Sequence, residues 1–142
     1  MTSIQTRLAQ DRRGTSAVEF AILSPLFILM LTGMSAYGIY LGAAHAVQQL
    51  TADAARTAVG GLDSAERSAL ATGYVSRNAG GYAFLNPSQI SVSAAPSSTD
   101  PAQFVVSVRY DARHLPIWSL LPDLPMPAVV IERRSTIRAG GI

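Results

Sequence analysis

Residues 20–44 read FAILSPLFILMLTGMSAYGIYLGAA, 25 positions with no charged side chain. Crossing a hydrocarbon core of roughly 30 Å takes about 20 apolar residues in a helix. The run is therefore long enough to span a bilayer with modest tilt. Hiding it instead as a soluble core helix would require an interior that a chain of 142 residues scarcely has. Composition points the same way. The chain is 49% hydrophobic and 14% charged, against a charged share of about 25% in ordinary globular domains, so part of it is built to avoid water.

The charge distribution fixes an expected orientation. The formal net charge is +2, and Arg7, Arg12 and Arg13 against Asp11 supply all of it before residue 15. The remaining arginines and acids balance. A basic leader directly ahead of an apolar run favours a cytoplasmic N-terminus and a translocated C-terminal region. The same map argues against a nucleic-acid partner, which needs a clustered basic face rather than a basic tail. A cleavable secretory signal is a competing reading, because Ala44-His45-Ala46 has the small-x-small form of its cleavage site. Its apolar region spans only about 7–15 residues, however; this one is longer, and Glu19 interrupts its start.

Inside the run, Pro25 removes one backbone hydrogen bond, which membrane helices tolerate. Gly38, Gly42 and Ala46 form a row of small residues four apart, where two helix backbones can approach closely. Tyr37 and Tyr40 approach the far interface, where amphipathic rings are favoured. No proline or glycine occurs between Gly42 and Gly60. Val47, Leu50, Ala54 and Ala58 recur at helical spacing. One continuous helix from about Ala17 to Val59 is predicted, projecting beyond the bilayer with an apolar stripe for packing.

Farther along, Asp63 and Glu66 have the spacing of a capping box and predict a short helix over 64–78, closed by Gly80 and Gly81, with Leu62, Leu70, Tyr74 and Val75 on its apolar side. Ile90, Val92 and Ala94 alternate with serines. Phe104, Val106, Val108 and Tyr110 alternate with more polar residues. These predict a hairpin with one face toward a core. The segment LPIWSLLPDLPMPA, residues 115–128, carries four prolines. It cannot be a regular helix or a central strand, and reads either as a packed crossover with Trp118 at the core edge or as an apolar contact loop. VVIERRSTIRA supplies a last strand. The expected fold class is α+β: a long N-terminal transmembrane helix, a short second helix and a small antiparallel sheet of about three strands. The expected organisation is a basic leader at 1–14, a long helix at 15–59 with its span at about 20–44, and an extracytoplasmic domain at 60–142.

No residue pattern here carries catalysis. With no cysteine, disulfides and thiolate zinc sites are excluded. His45 and His114, the two histidines, fall in different elements. Asp111, His114 and nearby serines imitate a hydrolytic group in composition only, without a nucleophile elbow or phosphate loop. A secreted hydrolase is thereby disfavoured. The expectation is a non-enzyme with no catalytic, cofactor-binding or metal-binding residues.

Residues 12–20, RRGTSAVEF, then acquire a specific meaning. A basic leader, Gly14, four residues, Glu19 and an apolar helix resemble the type IV prepilin class. With Gly-Thr-Ser-Ala-Val-Glu-Phe-Ala, an early proline and an aromatic-glycine region near the end of the span, the chain resembles the TadE family, pseudopilin-like proteins of the tight-adherence (Flp) pilus system. The related TadG-like proteins share this region but are usually longer. The resemblance implies cleavage between Gly14 and Thr15 by an inner-membrane prepilin peptidase, an aspartyl protease whose catalytic acids belong to the partner. Arg12 and Arg13 would hold the leader at the cytoplasmic surface. Glu19, followed by Phe20, would pair with the N-terminal amine of a neighbouring subunit during assembly. The implied partners are this peptidase, pilus or pseudopilin subunits, an inner-membrane assembly platform and the lipid bilayer. The competing reading is an unprocessed single-span anchor whose periplasmic domain binds an envelope partner.

Overall fold

The structure, a computed structural model, describes residues 12–119, 125 and 127–138. Helix α1 spans Arg12–Ala58, 47 residues, about 70 Å at 1.5 Å per residue. It begins five residues before Ala17. The single Gly14 does not break it, because one glycine costs a helix only about 1 kcal/mol. The helix also runs through Pro25. Thr32 Oγ1 donates to the Ile28 carbonyl at 2.7 Å and Ser35 Oγ to that of Leu31 at 2.9 Å. These bonds to the carbonyl four residues back give the two hydroxyls of the apolar run partners within the helix itself.

By packing, the chain divides into two units, one ending at Ser35 and the other beginning at Ala36. In the first, α1 exposes its large side chains on every side, with Leu26, Phe27, Ile28 and Leu29 exposed in succession. In the second, the rest of α1 is a core element. Ala36, Ala43, Val47, Leu50, Ala54 and Ala58 form one buried stripe. Thr51 is the buried polar residue beside it, and its hydroxyl is satisfied by the Val47 carbonyl at 2.6 Å.

Helix α2 spans Ser64–Asn78. Asp63 Oδ1 accepts from the Glu66 amide at 2.8 Å, which is half of the expected capping box. The Glu66 carboxylate reaches back one residue farther than usual, to the Leu62 amide at 2.8 Å. Leu62, expected on the apolar side, is 89% exposed: it precedes the cap and turns away. Val75, expected there, is buried, and the small residues Ala71 and Ala79 complete the buried face. The helix closes by tightening into a 3-10 turn over Ala79–Gly81, and no described glycine adopts a left-handed conformation.

Strands β1 (Ile90–Pro96), β2 (Gln103–Asp111) and β3 (Val130–Arg138) form an antiparallel sheet in the order β1-β2-β3. Val92 pairs with Val108, which pairs with Arg133; Ala94 pairs with Val106, which pairs with Ser135. Side chains alternate between faces, so Phe104, Val106, Val108 and Tyr110 all enter the core. The result is the expected α+β class. The proline-rich crossover starts as a packed segment: Leu115 and Ile117 are buried, and Trp118, half-buried, donates from Nε1 to the Ala112 carbonyl at 2.6 Å. Ile117, rather than Trp118, is the plug.

Candidate processing and assembly segment

The Gly14–Thr15 bond lies inside the first turns of α1, so its backbone is helical rather than extended. The leader up to Asp11 lies outside the described residues, and Arg12 and Arg13 are placed by their helical backbone alone. Four residues after Thr15, and so on the same side of the helix, stands Glu19. Its side chain is exposed, as is that of Phe20. The rise between Thr15 and Glu19 is about 6 Å. A carboxylate here is within reach of a cation lying along one face of the helix, and it is embedded in a stretch that no other described part of its own unit covers.

The small-residue row is split by its surroundings. Gly38 has nothing within 4 Å of where a side chain would begin. At Gly42 that position lies 2.7 Å from Phe84 Cε2, so the ring occupies the space the glycine leaves. Phe84 holds a left-handed backbone with φ 64°, uncommon for a bulky residue. The Tyr110 hydroxyl donates to its carbonyl at 3.1 Å. Ala46 is buried. Tyr37 and Tyr40 carry a function beyond amphipathic rings. The Tyr37 hydroxyl donates to the Pro125 carbonyl, and the Tyr40 hydroxyl to the Ala128 carbonyl at 3.0 Å. Sequence reading placed both rings at an interface and gave no sign of these two bonds, which join residues 88 apart.

Elsewhere the polar groups are structural in character. The Tyr82 hydroxyl donates to Asp53 Oδ2 at 2.8 Å and lies 3.1 Å from that of Tyr74. Burial, then its bonds to Tyr74 and Asp53, pushes the Tyr82 pKa up. Asp53 also holds Arg56 at 2.6 Å. On the outer face of the sheet, Glu132 accepts from Arg134 at 2.7 Å and Ser107 at 3.2 Å, and these two bonds hold its carboxyl below the ordinary range. An open concavity there is bordered by Ser91, Ser93, Arg109 and Arg134. His45 and His114 are exposed. Among the described residues no group of three or more His, Asp or Glu is placed to hold a metal.

Comparison with known proteins gives one family. The model described as TadE-like protein matches residues 14–56, under a third of the chain and the same family that the sequence resembles. The matched stretch begins at Gly14 and covers nearly all of α1. No curated protein and no solved structure matches the chain. The family match and the long apolar helix together fit a membrane-anchored protein related to the tight-adherence pilus.

Proposed function

We propose that the chain is a TadE-like pseudopilin or minor pilin that serves in assembly of a tight-adherence (Flp) pilus or a related secretion machine. It is a substrate of a prepilin peptidase, not an enzyme. The basic leader stays at the cytoplasmic face of the inner membrane, and the α+β unit lies in the periplasm. The observation that carries this reading is the helix itself, continuous through Gly14, Glu19 and the exposed apolar stretch in one element.

Two steps follow from that helix. A protease needs access to a scissile bond, and a helical bond is shielded by its own hydrogen bonds. Gly14 lowers the cost of unwinding there by about 1 kcal/mol relative to alanine and leaves no side chain in the cleavage site. Cleavage then gives Thr15 a new amine and puts Glu19 near the start of the shortened helix, where the helix dipole favours a carboxylate. A carboxylate in an apolar setting is costly unless paired. Pairing it with the amine of a neighbouring subunit offsets that cost and selects one axial offset between helices, since other offsets leave a charge unmatched.

The Glu19→Ala variant tests the assembly step. It should reach the membrane fraction at the level of the parent protein and be absent from pilus assemblies recovered from the host. Normal incorporation of Glu19→Ala would remove the pairing role.

A further inference from the structure

We infer that the open edge of strand β3 accepts an extended acidic segment of another protein. The segment adds antiparallel along residues 134–138, with carboxylates opposite Arg134 and Arg138. The inference stands on the sheet alone and goes beyond the assembly role above.

The ladder leaves one side of β3 unpaired. The sheet runs β1-β2-β3, so β3 is an edge. Opposite residues in an antiparallel pair alternate between exchanging backbone hydrogen bonds and not exchanging them. The Ala112 amide donates to the Val129 carbonyl at 2.8 Å, and this fixes the phase. Tyr110–Ile131, Val108–Arg133, Val106–Ser135 and Phe104–Ile137 are the bonded pairs. The N–H and C=O groups of Glu132, Arg134, Thr136 and Arg138 therefore point away from β2, and no described backbone group takes them. One of them is capped: Arg133 Nη1 donates to the Glu132 carbonyl at 2.8 Å. The free stretch thus begins at Arg134. The opposite edge of the sheet is less open. The Ser97 amide donates to the Gln103 carbonyl at 2.8 Å, so in β1 the outward groups are those of Ile90, Val92, Ala94 and Pro96. Proline has no N–H to offer, and α2 packs beside β1.

Charge selects the occupant. Successive side chains alternate between faces, so Glu132, Arg134, Thr136 and Arg138 share the outer face with Arg109, which lies opposite Glu132. Glu132 holds Arg134 at 2.7 Å, and Asp111, farther along, is held by Arg113 at 3.4 Å. Arg109, Arg133 and Arg138 have no ion-pair partner among the described residues. The free edge is therefore strongly basic. In strand addition the main chain supplies affinity, and alternate side chains supply specificity. Residues opposite Arg134 and Arg138 are four positions apart in the added strand and lie on the arginine face. Opposite charges directly across two strands attract, and like charges repel. A second copy would bring the same basic excess to the junction, so the fitting occupant is an acidic segment of a different chain.

The test uses the full chain in detergent micelles and two fluorescein-labelled peptides of threonine and valine. One carries two glutamates four positions apart, and the other carries lysines at those places. The glutamate peptide should bind, read by anisotropy. The lysine peptide should bind about tenfold more weakly, since two attractive pairs become repulsive. Arg138 is exposed, and Arg138→Glu should bind the two peptides equally. Hydrogen exchange at the amides of Arg134, Thr136 and Arg138 should slow when the glutamate peptide is bound. No binding of that peptide, or equal binding of both by the parent chain, overturns the charge selection. Binding that leaves the three amides exchanging as before overturns strand addition. Slowing of the same amides as chain concentration rises, with no peptide present, makes a second copy the occupant and overturns the assignment to another protein.

Discussion

Replacing Leu50 by alanine tests whether one helix changes its environment along its length. Leu50 is 0% exposed, in the stripe that the α+β unit covers. Truncating a fully buried leucine costs about 2–5 kcal/mol, from lost transfer energy and the cavity left behind. In a unit of about a hundred residues each kcal/mol lowers the melting temperature by about 4 °C. Leu50→Ala should therefore melt about 8–20 °C below the parent. Leu26, in the same helix, is 64% exposed, and Leu26→Ala should melt within about 2 °C of the parent because it opens no cavity. The assay is thermal unfolding of the full chain in detergent, followed by near-ultraviolet circular dichroism of Trp118. Equal shifts for the two variants, or a shift below about 2 °C for Leu50→Ala, would refute the division at Ser35–Ala36.

Glycine substitutions separate folding from assembly. Gly38→Ala meets open space and should stabilise the isolated chain by up to about 1 kcal/mol. Gly42→Ala must displace the Phe84 ring, so an overpacking cost of about 1–3 kcal/mol should cancel or exceed the same gain. Melts of the two variants give the comparison. If Gly38 also serves helix packing, as its row of small residues suggests, Gly38→Ala should fold and yet assemble poorly. On the sheet, Glu132 titrates below its ordinary value near 4.5, chiefly through its bond to Arg134. A depressed carboxylate contributes stability above its ordinary value and loses it as pH falls through the folded one. Arg134→Ala should move the Glu132 midpoint back up, seen by carbon NMR of the side-chain carboxyl. An unchanged midpoint would mean that the ion pair does not form.

Much of this fold was legible because local and periodic signals coincided. Asp63 and Glu66 bracketed the start of α2, and strict alternation through Phe104, Val106, Val108 and Tyr110 defined the face of β2. Gly14 and Glu19 were singled out by a spacing rather than a propensity, and the roles given to them belong to the proposal above. The onset of packing at Ala36 was not legible, since alanine and leucine suit lipid and a protein core equally. Nor was Phe84, which occupies a left-handed position without the glycine or asparagine that usually signals one. Leu62 misled because an apolar residue at a helix boundary reads as part of the buried face. The bonds from Tyr37 and Tyr40 join residues 88 apart, a separation across which local pattern carries no information.

In the proposed sequence of events Gly14 marks where another protein acts and Glu19 serves the shortened chain. The direct measurement is the mature N-terminus of the protein purified from a host that contains the prepilin peptidase, read by mass spectrometry of the intact chain and of its N-terminal peptide. A chain that starts at Thr15 is the predicted result. A chain that retains Met1, or one that starts at Val47, would contradict it.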